Sequence, residues 1–265
     1  MTRSVTCRLL LFLRYPQPGK TKTRLIPALG AAGAATLQRH MVQYLVQKLN
    51  HPNWDLQVHF SGASLADMQA FLGSELTYRP QASGGLGDRL WHGFQQGFKE
   101  DYFLFPHRFR QTDFETPSRH ISSVNPSSIS HPSIISRTLA IGADCPDISC
   151  QHIQQAFDAL ERQDVVLGPA SDGGYYLIGL RQPPNSIPDT PMESLFQGID
   201  WSTPRVFQQT LQKIQQLGLS YAHLETLSDI DRPEDLAIWE RLQTSSYPMH
   251  SRQMLTQQTL SQQTS

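Results

Sequence analysis

Short apolar runs typical of β-strands alternate with helical segments along most of this chain. The runs that predict strands cover residues 5–15, 56–62, 138–146, 164–170, 175–180 and, as a short last one, 220–224. Between strands, apolar residues recur at helical spacing, as in Leu86, Leu90, Phe94 and Phe98. Helices that cross between strands are what parallel strand pairing requires. The alternation therefore predicts an α/β fold with a mostly parallel central sheet and helices on both faces.

Two stretches fall outside this alternation. Residues 101–137 show no sustained period and are rich in Ser and Pro, which predicts a flexible surface insertion. Residues 248–265 are rich in Gln, Ser and Thr, which predicts a disordered tail. We therefore expect a single domain over residues 1–247.

The composition limits the partners that the chain can have. A formal net charge of −1 gives no general attraction to nucleic acid, so we expect no nucleic-acid partner and anion binding only by local clusters. Three cysteines without a C-x-x-C pair suit neither a disulfide framework nor structural zinc, and we expect a reducing, cytoplasmic location. The apolar run Leu9–Leu13 is far shorter than a membrane span, so we expect a buried first strand and no membrane span.

A basic loop follows the first strand directly. In the segment RYPQPGKTKTRL, Pro18 and Gly19 predict a tight turn, and the cations after it are Lys20, Lys22 and Arg24. Open α/β sheets bind ligands at the carboxyl ends of their strands, which is where this loop lies. A solvated basic turn is the alternative, but position and charge together favour the binding of a di- or triphosphate.

A second loop, GGLGDRL, is rich in glycine and opens a helix. The residues that we assign to nucleotide contact are Gly85, Leu86, Gly87 and Arg89. Glycines would let the backbone approach a base or a sugar, and the arginine would reach a phosphate, although a plain loop-to-helix turn explains the pattern almost as well. Neither loop matches a standard nucleotide motif, because the first P-loop glycine falls on Arg14 and the third dinucleotide-motif glycine falls on Leu90.

A strand-end aspartate stands in the segment IGADCPDIS. Asp144 follows an apolar run that Pro146 ends, and an oxygen ligand at such a point suits Mg²⁺ or Mn²⁺ that bridges to substrate phosphates. Asp147 is a second possible metal ligand, but it would serve equally well as the N-cap of the next helix. Cys145 is expected to be a packing residue, since no histidine that could activate it is near in sequence.

The stretch LGPASDGGYYLIGL places a carboxylate between two apolar runs. Burial of Asp172 there would be costly without a partner. Gly173 and Gly174 allow positive φ or the close approach of a ligand. An Asp-Gly hairpin turn is the alternative, although Pro169 crowds a minimal two-residue loop. We expect Asp172 to act beside Asp144, and it is left open whether it contacts a metal ion, an acceptor or only backbone.

Six segments, in this order, resemble a bacterial glycosyltransferase family described as arsenosugar-biosynthesis-type, formerly a domain of unknown function. The segments are RYPQPGKTKTRL, QASGGLGDRL, GADCPDI, LGPASDGGYYLIGL, DWST and DIDRPEDL. They cover the chain from about residue 8 to residue 242, which makes the resemblance specific for the family but much less so for a substrate. More distantly, the pattern is similar to nucleotidyltransferases of the same nucleotide-diphospho-sugar transferase superfamily.

The resemblance implies a seven-stranded, mostly parallel sheet of the Rossmann-like glycosyltransferase A type. Nucleotide would bind over the N-terminal half, with phosphates on the basic loop and a divalent ion on Asp144, and the acceptor over the C-terminal half. The residues on the acceptor side are Gly173, Gly174 and Tyr175. Many glycosyltransferases of this fold carry Asp-x-Asp where this chain has Asp144-Cys145-Pro146-Asp147, and the insertion at 101–137 is a second departure.

These features predict an enzyme of the transferase class, with Asp144 and Asp172 as its catalytic residues. The first hypothesis is a glycosyltransferase that moves a sugar from a nucleotide-diphosphate donor to a small acceptor, with Mg²⁺ or Mn²⁺ and the basic loop stabilising the departing diphosphate. The second is a nucleotidyltransferase that joins a nucleoside triphosphate to a small phosphate compound and releases pyrophosphate. Both need the same cations and metal, so these residues do not separate them. A non-catalytic nucleotide-binding regulator would not need the strand-end aspartate.

Overall fold

The computed structural model describes residues 5–103, 135–182 and 192–246. The predicted insertion lies outside these residues except at its two ends, and the predicted tail lies outside them completely. The strands are β1 (Val5–Arg14), β2 (Asp55–Ser61), β3 (Thr77–Pro80), β4 (Ile135–Gly142), β5 (Val165–Pro169), β6 (Tyr175–Arg181) and β7 (Tyr221–His223). The α-helices are α1 (Ile26–Leu49), α2 (Leu65–Leu72), α3 (Leu86–Phe103), α4 (Cys150–Ala159), α5 (Val206–Gln216) and α6 (Leu236–Ser246). In the described parts of the chain, no helix is both long and apolar enough to cross a membrane.

The seven strands form one sheet in the order β3-β2-β1-β4-β6-β5-β7. All pairings are parallel except those of β6, which runs antiparallel to both of its neighbours, β4 and β5. The predicted α/β class and mostly parallel sheet are therefore confirmed. One strand, β6, runs in the reverse direction between β4 and β5.

Helices cover both faces of the sheet, and strand β1 shows why. Successive side chains of a strand point to opposite faces. Leu9 and Leu11 belong to a core shared with α1, α2 and α4, whereas Leu10 and Phe12 belong to a second core shared with α3 and α5. Because both faces are buried, residues 9–13 of the strand are apolar without interruption instead of alternating with polar residues.

Two elements, α2 and β3, were not predicted from the apolar pattern. Helix α2 is only eight residues long and begins at a capping box, in which Ser64 Oγ accepts from Asp67 N at 3.2 Å and the Asp67 carboxylate accepts from Ser64 N at 2.9 Å. Strand β3 has four residues, lies at the sheet edge and ends at Pro80. Both are too short to show a period.

The carboxyl ends of β1, β2 and β4 lie side by side. Arg14 pairs with Ser61 at the ends of β1 and β2, and Phe12 of β1 pairs with Gly142, the last residue of β4. The loops that follow these strands therefore share one edge of the sheet, where an open α/β fold binds its ligands.

Candidate functional site

A cleft of about 680 Å³ opens at the carboxyl ends of β1, β2 and β4. It is lined by Phe12, Leu13, Arg14, Lys20, Thr21, Lys22, Gln38, Ser61, Gly62, Gln81, Ala82, Leu86, Arg89, Gly142, Ala143, Asp144 and Asp231. Five of the predicted site residues are in this lining, namely Lys20, Lys22, Leu86, Arg89 and Asp144. The volume is in the range of small-molecule sites, roughly 300–1,000 Å³.

The loop after β1 carries Lys20 into the cleft on a tight turn. Gly19 has a φ of +76°, a conformation that favours glycine, and follows Pro18 in the turn. Lys20 N donates to the Gln17 carbonyl at 3.1 Å, and Gln17 N donates to Thr21 Oγ1 at 3.1 Å. The turn is therefore fixed by its own hydrogen bonds, while the exposed Lys20 side chain faces the cleft.

Two arginines also line the cleft, and together with Lys20 they form what we call the basic wall. Arg14, the exposed last residue of β1, lines the cleft, although the sequence pattern assigned it no role. Its position at a strand end was the signal that could have identified it. Arg89, in the first turn of α3, also lines the cleft, and its Nε donates to the Gly84 carbonyl at 3.0 Å. An anion in the cleft would therefore be close to cations from two separate parts of the chain.

Lys22 and Arg24 make ion pairs with carboxylates of the protein itself. Lys22 Nζ lies 2.7 Å from Asp144 Oδ1 and also donates to the Ile230 carbonyl, and the Lys22 side chain is only 4% exposed. Arg24 Nη1 lies 2.5 Å from Asp231 Oδ2, and the Arg24 side chain is 65% exposed. Of the three predicted phosphate ligands in the basic loop, two thus already bind aspartates.

Asp229 is a site residue that the sequence reasoning missed. It precedes Ile230, whose N–H donates to the Asp144 carbonyl at 2.9 Å, so the segment after β7 lies against the end of β4. Burial, and then the negative charges of Asp144 and Asp172, raise the pKa of Asp229 to about 7, while Lys22 opposes this rise. The available signal was the Asp-Ile-Asp pattern soon after the last strand.

The glycine-rich loop has two roles. Leu86 and Arg89, for which the sequence predicts nucleotide contact, line the cleft. Gly85 N donates to Asp88 Oδ2 at 2.8 Å. A Cβ at Gly87 would lie 2.6 Å from the carbonyl oxygen of Phe196 and 2.9 Å from the indole nitrogen of Trp201. The absence of a side chain at Gly87 is therefore explained by packing against residues 196–201.

Asp172 lies in the loop of a β-hairpin, since β5 and β6 pair antiparallel. The loop spans residues 170–174, and Ala170 N donates to the Gly174 carbonyl at 3.0 Å. The structure thus contains the hairpin alternative, with five loop residues instead of the two that Pro169 disfavours. Asp172 is exposed and accepts from Gly174 N at 2.9 Å, so it does not carry the burial cost expected from the sequence.

The predicted acceptor-side residues connect this hairpin to the start of α5. Gly173 has a φ of +89°, and a Cβ there would lie 2.2 Å from the Pro204 carbonyl oxygen. The Gly173 carbonyl accepts from Phe207 N at 2.9 Å. The ring of Tyr175 packs edge-on against Trp201 at a centroid distance of 6.4 Å. These contacts hold the loop of Asp172 in place.

Asp147 points to a different partner. Its carboxylate lies 2.6 Å from Arg241 Nη2 of α6. The N-cap of α4 is Ser149, whose Oγ accepts from His152 N at 3.3 Å, so the N-cap role considered for Asp147 falls to Ser149. Cys145 is buried, and burial raises the pKa of its thiol well above the usual range, which suits the expected packing role.

Comparison with known proteins places this geometry in a family. A family model described as an uncharacterized protein conserved in bacteria (DUF2064) matches residues 128–203. A crystal structure from Desulfovibrio desulfuricans G20, described as a "putative nucleotide-diphospho-sugar transferase", is 30% identical, with a TM-score of 0.70 over 91% of this chain and 88% of that one. The chain belongs to the family of that protein. It is a transferase.

More distant structures share the fold of this transferase. The CMP:2-keto-3-deoxy-manno-octonic acid synthetase, solved with CTP, is 9% identical and matches with a TM-score of 0.50 over 91% of this chain and 100% of that one. That likeness concerns the fold alone. No curated protein matches the sequence.

The donor set of the transferase suits a divalent ion that completes its coordination with water or with substrate phosphates. Among the described residues, no group of three or more His, Cys, Asp or Glu side chains is arranged to hold a metal. Asp144 lines the cleft, and its charge reaches Asp229, whose pKa is raised first by burial and then by Asp144 and Asp172. Mg²⁺ commonly takes one or two protein carboxylates together with substrate phosphates, and Asp144 and Asp229 suit that arrangement.

Proposed function

We propose that this transferase moves a sugar from a nucleotide-diphosphate donor to a small acceptor with the help of Mg²⁺ or Mn²⁺. One observation supports this function above all. Cationic side chains and Asp144 line the same cleft at the carboxyl ends of the strands, and Asp229 is a neighbour of Asp144. Cations and oxygen ligands on one cleft are what a metal-bound diphosphate requires.

The basic wall would hold the diphosphate of the donor. Arg14 and Lys20 come from the end of β1 and its loop, and Arg89 comes from α3, so cations from two separate elements would hold the anion. Negative charge on the diphosphate increases as its bond to the sugar breaks. Cations that are already fixed around it therefore stabilise the transition state more than the bound substrate.

Asp144 and Asp229 would hold the divalent ion, which supplies further positive charge to the departing diphosphate. The Asp144 side chain is 53% exposed, so part of its carboxylate is open to the cleft. Asp229 is more deeply buried, and its contact with a cation would lower the cost of keeping it ionised next to Asp144.

The hairpin loop of residues 170–174 would form the acceptor side. Asp172 is exposed and close enough to Asp229 to raise the pKa of that carboxyl group. We place Asp172 opposite the acceptor, where its free carboxylate oxygen would orient a hydroxyl group. Gly173 and Tyr175 would act indirectly, because they fix the loop against residues 201–207.

The charge of the cleft favours one alternative. The cationic side chains in its lining are Arg14, Lys20, Lys22 and Arg89. A nucleoside triphosphate has one phosphate more than a nucleotide sugar and would engage these cations more fully. The second candidate is therefore a nucleotidyltransferase that joins a nucleoside triphosphate to a small phosphate compound and releases pyrophosphate.

A ligand screen followed by product analysis tests both candidates. Nucleotide sugars and nucleoside triphosphates, each with and without Mn²⁺, are screened by thermal shift, since a ligand at 100 times its Kd stabilises by about 2.7 kcal/mol. Free nucleoside diphosphate as a product supports glycosyl transfer, and pyrophosphate supports the alternative. Asp144→Asn should abolish turnover, whereas Asp158→Asn, at an exposed position on α4, should not. If no ligand in the panel stabilises the protein, both candidates fail.

Two finer assignments are also proposals. The cysteine content supports a cytoplasmic location, and the described cysteines Cys7, Cys145 and Cys150 are all free thiols. The six sequence segments support membership of the arsenosugar-biosynthesis-type family. Fractionation and the product assay with candidate acceptors test these two points.

A further inference from the structure

Lys22 differs from the other cations of the cleft. Its side chain is 4% exposed, whereas Lys20, two residues earlier, is exposed. Lys22 Nζ donates to the Ile230 carbonyl and lies 2.7 Å from Asp144 Oδ1. The ammonium group is therefore enclosed between the segment after β4 and the segment after β7.

The backbone at Lys22 is shaped for this position. Its φ of 49° and ψ of 47° are left-handed, a conformation that is costly for a residue with a Cβ. Non-glycine residues persist in such conformations only where their surroundings impose them, and these positions concentrate at functional sites. The Lys22 contacts are thus built into the fold at a cost to the backbone.

Lys22 lies among several carboxylates. Asp144 and Asp172 both raise the pKa of Asp229, and Lys22 is the charge that opposes them. The exposed part of the Asp144 carboxylate faces the cleft, so a cation from solvent has access to the same group that Lys22 holds. Two cations on one carboxylate repel each other strongly in a partly buried site.

We propose that Lys22 is an internal counter-cation of the carboxylate site, which competes with the divalent ion for Asp144 and is released toward the cleft when that ion binds. This role rests on the proposed metal-assisted function. In the metal-free protein, Lys22 keeps Asp144 in place and partly neutralised. Once released, its ammonium group is next to the site of the donor diphosphate, since Lys22 also lines the cleft. The same lysine thus neutralises Asp144 in the metal-free site and lies beside the diphosphate in the metal-bound site.

The test measures Mn²⁺ binding without nucleotide, by electron paramagnetic resonance or calorimetry on the full chain. Lys22→Met removes the charge but keeps the length of the side chain, and we expect it to bind Mn²⁺ at least about tenfold more tightly than the wild type. Lys20→Met is the matched control from the same loop. It removes an exposed charge, and we expect a much smaller gain in affinity because solvent screens that charge.

An unchanged or weaker Mn²⁺ affinity in Lys22→Met would overturn the proposal, because it would mean that Lys22 only supports Asp144. The proposal is also overturned if neither Lys22→Met nor the wild type binds Mn²⁺. If Lys22→Met does not fold, amine acylation of the wild type with mass spectrometry replaces it. Lys22 should react more slowly than Lys20 without metal and faster after Mg²⁺ is added, and a Lys22 rate that Mg²⁺ leaves unchanged would equally refute the competition.

These measurements are independent of the reaction that the enzyme catalyses. If both product assays fail, tighter Mn²⁺ binding by Lys22→Met still supports the role of Lys22. If Lys22→Met and the wild type bind Mn²⁺ equally, the role of Lys22 fails and the product assays alone decide the transfer reaction.

Discussion

Replacement of Asp229 by asparagine should change how the stability of the protein depends on pH. Asparagine has almost the same shape but does not ionise. Asp229 is partly buried, and burial together with the charges of Asp144 and Asp172 raises its pKa from 3.8 to about 7. In the unfolded chain, the same carboxyl group is in water and ionises near its ordinary pKa.

The sign of the effect follows from these two pKa values. Between 3.8 and about 7, the folded state keeps the proton of Asp229 and the unfolded state has lost it. Stability is therefore greatest below the unfolded pKa and falls as the pH rises through this window. One pKa unit corresponds to about 1.4 kcal/mol, so the wild type loses up to about 4 kcal/mol that Asp229→Asn does not lose.

Urea denaturation of both proteins at several pH values, from about pH 4 to about pH 8, measures this difference. EDTA is added so that divalent ions do not stabilise the wild type. The variant should equal the wild type at the acidic end and exceed it at the alkaline end. Asp158→Asn, which changes an exposed carboxylate on α4, should follow the wild type closely. A difference between Asp229→Asn and the wild type that stays constant with pH would refute the reasoning.

Two further substitutions test the hairpin and the basic wall. Gly173→Ala should cost about 3 kcal/mol, from left-handed strain and overlap with the Pro204 backbone, whereas Gly218→Ala, with a φ of +65° and open space around its Cβ, should cost only about 1 kcal/mol. Equal urea midpoints for the two variants would contradict this. Arg89→Gln should weaken nucleotide binding roughly tenfold to a hundredfold, because one charge-assisted hydrogen bond is lost, whereas Arg162→Gln at an exposed position after α4 should not. Calorimetry with the nucleotide found in the ligand screen measures both, and a matching Kd for Arg89→Gln and the wild type would remove Arg89 from the basic wall.

Long, periodic segments made most of the fold predictable. The apolar run of β1 and the fourfold spacing in α3 indicated their elements directly, and the alternation of the two types indicated the parallel sheet. The direction of β6 could not be derived in this way. It follows instead from loop length, because the five residues 170–174 are too few for the crossover that parallel pairing requires and suffice for a hairpin turn. The short elements α2 and β3 had no periodic signal, although the Ser64–Asp67 capping box indicated the start of α2.

The candidate site was predictable where its residues directly follow strands. Lys20 and Asp144 come after β1 and β4, and both line the cleft. The pairing of Lys22 with Asp144 and the approach of Asp229 were not predictable, because they depend on contacts between segments that are far apart in sequence. Local pattern does not indicate which cation of a basic loop turns toward solvent and which turns inward.

The contact of Lys22 with the Ile230 carbonyl joins residues 208 positions apart. During synthesis, the basic loop leaves the ribosome early, whereas the segment with Asp229 and Ile230 follows only after β7. Domains generally fold as units, and a chain that ends before this segment has the basic loop and Asp144 but lacks Asp229, Asp231 and the Ile230 carbonyl that restrains Lys22. Ribosome-bound chains of increasing length should therefore gain metal-dependent nucleotide binding only when residue 231 has left the exit tunnel. Nucleotide binding would then report that translation has passed the last residue of the site.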